Sequence, residues 1–262
     1  MSGADNTPRP DWAIRFVDVC KSFGDRNKRH TVLDRVSFSV PSGRTTVIAG
    51  GSGQGKSVIL KLILGLLRPD SGQVLVGDRN IAALDYDELQ ETRMKFGVLF
   101  QGSALFDSLN VFENIALPLK ERTRMTSAQI RERVSATLEQ LGLTGHEDKY
   151  PAQLSGGMKK RVGLARALQL DPEIVLYDEP TTGLDPVMTK EIYELFTNTQ
   201  QRLGYTAVIV SHDIPQVFEL ADQIILLNKG ELDVFTEASQ IAQSTKPFIR
   251  EFARMVMGFD AE

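Results

Sequence analysis

The chain has 262 residues, enough for one large α/β domain or for a domain carrying an extra lobe. Its 42% apolar and 24% charged residues are ordinary globular values, which excludes a disordered tail protein and a polytopic membrane protein. Thirty basic residues stand against thirty-four acidic ones with no long Lys/Arg run, so nucleic acid is not expected as a partner.

The first dozen residues are polar, contain Pro and lack the basic start and apolar core of a secretory signal, and residues 1–13 are expected to be flexible. Cys20 is the only cysteine, which suits a reducing compartment and reads as a small strand residue. After this loose start, Val36, Phe38 and Val40 alternate with Arg35, Ser37 and Ser39, the period of a strand with one buried face. Pro41, Ser42 and Gly43 turn the chain into a β-branched run over Thr45 to Ala49. A glycine-rich loop follows, then an apolar helix over Ser57 to Leu67. The strongest apolar stretch, Val58 to Leu67, is interrupted by Lys61 and is roughly half the length a spanning helix needs. Any membrane role is therefore expected to come through a partner.

A short strand is expected around Val74 to Val76. Asp85 and Glu88 then form a capping box that starts a helix through Met94, and Phe96 to Phe100 reads as a strand with Gln101 at its end. From Gly102 to about Leu170 no strand pattern appears. Thr126 and Gln129 mark another capping box, and Ile130, Val134, Leu138 and Leu141 share a helical face, so this stretch reads as a helical lobe. Strands return at Ile174 to Tyr177, Ala207 to Val210 and Ile224 to Leu227, with a helix from Pro186 to Leu203 that Gly204 ends. This alternation implies a mostly parallel sheet with right-handed crossovers. Asn228, Lys229 and Gly230 form a turn, and Pro247 to Met257 fits a short amphipathic helix.

Gly50, Gly51, Ser52, Gly53, Gln54, Gly55, Lys56 and Ser57 match the phosphate-loop pattern G-x-x-x-x-G-K-[ST] in the strand-to-helix context it requires. Glycines there let backbone N–H groups wrap phosphates, Lys56 reaches the outer phosphates, and Ser57 offers an oxygen to Mg²⁺. The strand over Ile174 to Tyr177 delivers Asp178 and Glu179 to the edge where a parallel sheet presents ligands. Asp178 suits the Mg²⁺ shell and Glu179 suits polarising the attacking water, although acids also end strands simply because they are solvated. His212, closing the strand over Ala207 to Val210 at the same edge, becomes a candidate contact to the γ-phosphate and the water. Gln101 becomes a sensor of both and a candidate metal ligand.

The run Leu154, Ser155, Gly156, Gly157, Met158, Lys159, Lys160 and Arg161 opens a helix with LSGG, which resembles the signature motif of the ABC ATPases. Its chemistry is a second anion site: Ser155 caps the helix, and Gly156 and Gly157 expose bare amides. The resemblance, over roughly Ile14 to Glu237, implies a P-loop α/β fold with a mostly parallel core sheet, an N-terminal antiparallel β subdomain and a helical subdomain at about 102–170. The C-terminal tail is 238–262. It also implies that Gln101 is the Q-loop, Asp178 and Glu179 the Walker B pair, Gly183, Leu184 and Asp185 the D-loop, His212 the switch histidine, and Phe23 the ring that stacks on adenine. ATP with Mg²⁺, clamped head to tail between two copies of the chain, follows from the same resemblance.

A narrower resemblance rests on FQGSALFDSLNVFENIALPL at Phe100 to Leu119, LSGGMKKR and EPTTGLDPVMT, which are similar to the ATPases of the Mla/Mce phospholipid systems. It implies integral-membrane permease subunits, a Mce-domain lipid-binding subunit, a small STAS-type regulatory subunit and a place at the cytoplasmic face of the inner membrane. The work implied is phospholipid transport that maintains outer-membrane lipid asymmetry. Leu105, Phe106, Val111 and Phe112 are then candidate docking residues for the permease, or residues that pack the helical lobe. Phe248, Phe252 and Met255 either touch a partner chain or lie on an ordinary surface helix. Another ABC importer or a lipoprotein-release ATPase carries the same motifs.

Overall fold

The computed structural model describes residues 11–25, 28–51 and 53–257, with backbone only at 255–257. Two long strands, β1 (Trp12–Phe23) and β2 (His30–Pro41), are followed by β3 (Thr45–Ala49), the glycine loop and α1 (Lys56–Ile63). Next come β4 (Ser71–Val76), the two-residue β5 (Arg79–Asn80), α2 (Tyr86–Arg93) and β6 (Phe96–Leu99). Three helices follow, α3 (Val111–Arg122), α4 (Ser127–Gln140) and α5 (Gly156–Ala167), and then β7 (Ile174–Asp178), α6 (Pro186–Leu203) and β8 (Thr206–Ser211). The chain continues through β9 (Gln223–Asn228), β10 (Glu231–Phe235), α7 (Ala238–Ala242) and α8 (Pro247–Met257).

Two sheets result. The larger has the order β10-β9-β3-β8-β7-β6, parallel throughout except for β10, which runs antiparallel to β9. The smaller, β2-β1-β4-β5, is wholly antiparallel. The central strands read as continuous apolar runs because both their faces are covered. Val47, Val175, Tyr177, Ala207, Ile209, Ile224 and Leu226 pack with the helical segment on one side. Their neighbours Ile48, Ile174, Leu176, Val208, Val210, Ile225 and Leu227 pack with α1 and the antiparallel sheet on the other. The two-residue period of a strand produces this division.

The helices obey their local signals. Asp85, Asn110 and Thr126 each cap a helix in a reciprocal box with Glu88, Glu113 and Gln129. Gly204 ends α6 at φ 71°, a left-handed cap that glycine adopts without a side-chain clash. Helix α1 stops at Ile63 rather than Leu67, since Gly65 turns left-handed at φ 63° and the N–H groups of Leu66 and Leu67 both return to the Lys61 carbonyl. The start read as loose holds β1 from Trp12 onward, while residues 1–10 lie outside the described residues.

Candidate active site

The parallel register sets the site. Ala49 of β3 lies beside Ser211 of β8, and Asp178 of β7 lies beside Val210 of β8. The next residues, Gly50, His212 and Glu179, therefore leave three neighbouring strands along one C-terminal edge, where loops of an open α/β sheet bind ligands. Gly50 approaches β9 so closely that a Cβ would meet the Leu227 carbonyl oxygen at 2.4 Å, so a side chain there must move backbone. Gln54 is tied to the β9–β10 turn, its Oε1 accepting from Lys229 N at 2.6 Å. Ser52 lies outside the described residues, while Gly51, Gly53 and Gly55 complete the loop and Gly55 forms the N-cap of α1.

Lys56 is buried at the base of this loop. Its Nζ donates to the carbonyls of Gly50 and Gly51 at 2.9 and 3.1 Å and lies 3.6 Å from Glu179 Oε1. The two carboxylates face separate partners: Asp178 Oδ1 accepts from Ser57 Oγ at 3.4 Å, whereas Glu179 Oε2 pairs with His212 Nδ1. Burial raises the Asp178 carboxyl above its ordinary range, and the neighbouring Glu179 charge adds to it, against Ser57, Lys61 and Lys56. Glu179 stands at φ 48°, a left-handed conformation uncommon outside glycine, and its N–H donates to Val210 O at 2.9 Å. A hydroxyl and a carboxylate oxygen thus converge beside the N-terminus of α1, with a second carboxylate held apart by an imidazole.

The remaining residues named from sequence are placed as follows. Gln101, two residues past β6, is exposed and is engaged through its carbonyl, which accepts from Lys160 Nζ. Ser155 caps α5, its Oγ accepting from Met158 N at 3.3 Å. Gly156 and Gly157 press on the start of α6, where added Cβ atoms would meet Leu184 Cδ2 at 2.9 Å and Met188 Cε at 2.1 Å. Asp185 caps α6, accepting from the N–H groups of Val187 and Met188 at 3.0 Å each. Phe23 is exposed at the end of β1 with Lys21 Nζ 5.4 Å from its ring centroid, and no ring contact joins it to the phosphate loop among the described residues.

Sequence reasoning missed the residues that brace these loops. Lys160 and Arg166, both on α5, grip the segment after β6; Arg166 donates to the carbonyls of Ser103 and Ala104 at 2.9 and 2.8 Å. Burial lowers the pKa of both cations. Asn114 on α3 is fully buried and pins the segment before its helix, accepting from Phe106 N and donating to the carbonyls of Phe106, Leu109 and Asn110. A polar residue inside an apolar helical face was the available signal for Asn114.

A model of the ABC transporter family matches residues 33–182. The chain belongs to the ABC transporter family. It is 38% identical over 239 residues to "Intermembrane phospholipid transport system ATP-binding protein MlaF" of Escherichia coli K12, across 91% of this chain and 87% of that protein. It is 40% identical over 250 residues to "Probable ribonucleotide transport ATP-binding protein mkl" of Mycobacterium leprae, across 95% of this chain and 71% of that one. Among solved structures, the cassette MJ0796, a dimer in a post-hydrolysis state bound to ADP and Pi, is 33% identical with a TM-score of 0.77. That match covers 85% of this chain and 98% of the other. This ABC protein is accordingly an ATP-binding and ATP-hydrolysing subunit, and among its described residues no helix is long and apolar enough to cross a membrane.

Proposed function

We propose that this ABC ATPase powers phospholipid transport at the cytoplasmic face of an inner membrane, as a head-to-tail dimer beneath a permease and with a Mce-domain lipid-binding subunit. The observation that carries the reading is the match to MlaF over nearly the whole of both chains. A small STAS-type regulatory subunit belongs to the same proposal, as does the maintenance of outer-membrane lipid asymmetry. The exposed segment after β6 supports the permease contact: Phe100, directly before Gln101, is 43% exposed and Phe106, five residues after it, is 52% exposed. Val111 leaves this surface, because its side chain is 1% exposed in the core, and Phe112 is half-buried beneath the Arg131 guanidinium.

The residue roles belong to the same proposal. Gly50 to Gly55 offer amides to the phosphates, with Lys56 as their point charge. Ser57 and Asp178 fit Mg²⁺ as a pair of hard oxygen donors, with Gln101 completing the set. Mg²⁺ held by Ser57 and Asp178 would supply positive charge to offset that of the phosphates. Glu179 polarises the attacking water and His212 holds it and the γ-phosphate oxygen in place. Ser155, Gly156 and Gly157 of the second copy meet the same triphosphate, beside Asp185 of the D-loop, and Phe23 stacks on the adenine.

Copurification from native membranes, followed by identification of subunits and lipids, tests the transport assignment. A permease with a Mce-domain subunit and bound phospholipid is the expected result. Recovery with a permease for amino acids instead would overturn the cargo while leaving the ATPase intact, and the relative "Methionine import ATP-binding protein MetN 1" of Yersinia pestis, 37% identical over 248 residues, makes that outcome concrete.

A further inference from the structure

The loops bearing Glu179 and His212 are fastened beneath the active site by one buried side chain from another element. We infer that Tyr193 of α6 is a positioning residue for ATP hydrolysis, its hydroxyl locking the Glu179 and His212 loops in one register. This rests on the assignment of Glu179 and His212 to the hydrolytic step.

The geometry is a closed polar cluster. Tyr193 is 5% exposed, and its hydroxyl lies 3.0 Å from Asp213 Oδ2, 3.1 Å from Thr181 Oγ1 and 3.5 Å from Ser211 Oγ. Thr181 Oγ1 also lies 3.3 Å from Asp213 Oδ2, and Ser211 Oγ accepts from Asp213 N at 3.0 Å. A phenol has one proton, and the carboxylate is the one side-chain partner that brings none of its own. The Tyr193 proton therefore points to Asp213, leaving the phenolic oxygen to accept from Ser211, while Thr181 divides its one proton between the phenolic oxygen and Asp213 Oδ2. Burial pushes the Tyr193 hydroxyl well above its ordinary pKa and the Asp213 charge adds to this, so it keeps its proton.

Sequence distance gives the cluster its meaning. Thr181 lies two residues after Glu179, and Asp213 follows His212 directly. Each catalytic loop thus hands one side chain to the same hydroxyl, from below, while Glu179 and His212 meet above. Tyr193 also sits on the helix that begins at the Asp185 cap, so the D-loop shares the fastening. A displacement of about 1 Å in a catalytic group is enough to slow a reaction severely without changing ground-state binding.

The test is Tyr193→Phe, which deletes one oxygen and keeps the ring. The expected result is a kcat for ATP lowered about tenfold or more with KM within about twofold, the worth of a lost hydrogen bond to a charged group. Two variants run beside it. Tyr205→Phe removes a hydroxyl of equal burial that, among the described residues, pairs only with Tyr177 at 2.8 Å in the core, and is expected to lower the Tm with kcat unchanged. Glu179→Gln checks the assignment beneath: if it hydrolyses at the wild-type rate, the site reading fails. If Glu179→Gln is slow while Tyr193→Phe turns over normally, or loses kcat only as Tyr205→Phe does, the positioning role is overturned. Should Tyr193→Phe not fold, Asp213→Asn decides by the same split between kcat and KM, with an unchanged kcat against the proposal.

Discussion

Glu179 and Asp178 are adjacent in sequence and yet reach different partners, one a hydroxyl beside α1 and the other an imidazole across the edge of the sheet. Strand alternation already sends these adjacent side chains to opposite sides, and the left-handed backbone at Glu179, the first residue past β7, turns the chain there. Such strain persists where neighbours over-determine it, and here the Val210 carbonyl, Lys56 and His212 all hold the residue. Replacing Glu179 by Gln keeps the shape and removes the proposed base. We expect ATP affinity to be retained and hydrolysis to slow by about 10²- to 10⁴-fold, the usual worth of a positioned general base. Phosphate release and nucleotide binding, measured separately, check this, and turnover near wild type removes Glu179 from the role. The motif was legible in sequence because chemistry and spacing coincide at the strand end. The His212 contact and the Thr181–Tyr193–Asp213 cluster were not, because they join residues distant in sequence through a fold that periodicity does not specify.

At the scale of elements, the signals that succeeded were local ones. The capping boxes at Asp85 and Thr126 located α2 and α4, whereas the box at Asn110 that starts α3 went unread, and the apolar runs of β3, β7, β8 and β9 carried their own meaning because both faces are covered. Strand β1 escaped because its period is broken: Asp18 turns to φ 47° and the pairing with β2 shifts between Phe16 and Val19. Strand β10 escaped because ELDVF is a half-exposed edge segment whose pairing with β9 supplies what its composition lacks. The segment before α3 has no periodicity at all; Arg166 holds it at Ser103 and Ala104, and Asn114 pins it from Phe106 to Asn110. Asn114→Ala is therefore expected to cost about 1–3 kcal/mol, since it removes a fully buried amide together with its hydrogen bonds to the backbone of Phe106, Leu109 and Asn110. Thermal unfolding reads the loss, and limited proteolysis is expected to cut first within residues 103–110. A variant as stable as the parent, with that segment still protected, would show that the loop is held by something else.

At the scale of the molecule, each motif occurs once, and the glycine loop and the LSGG helix end belong to different parts of the chain. Ser155 and Gly156 are exposed at the start of α5, and Val187 is 69% exposed in the first turn of α6, whose Met188 abuts Gly157. A bare helix N-terminus with small residues and an apolar neighbour fits a second copy bringing its triphosphate, because the amides gain an anion and Val187 loses contact with water. Nucleotide then acts as the adhesive: dimerisation should require ATP and should vanish when the helix end is blocked, although no residue of the chain's own phosphate loop has changed. With Glu179→Gln to stop turnover, ATP and Mg²⁺ are expected to shift the protein from one copy to two in analytical ultracentrifugation. Adding Ser155→Arg should keep it at one copy, since the long side chain occupies the approach that the hydroxyl leaves open, while ATP affinity measured on the monomer stays within about twofold. Persistent dimers in the double variant, or full-rate hydrolysis by a strictly monomeric protein, would mean that the site is completed within one chain.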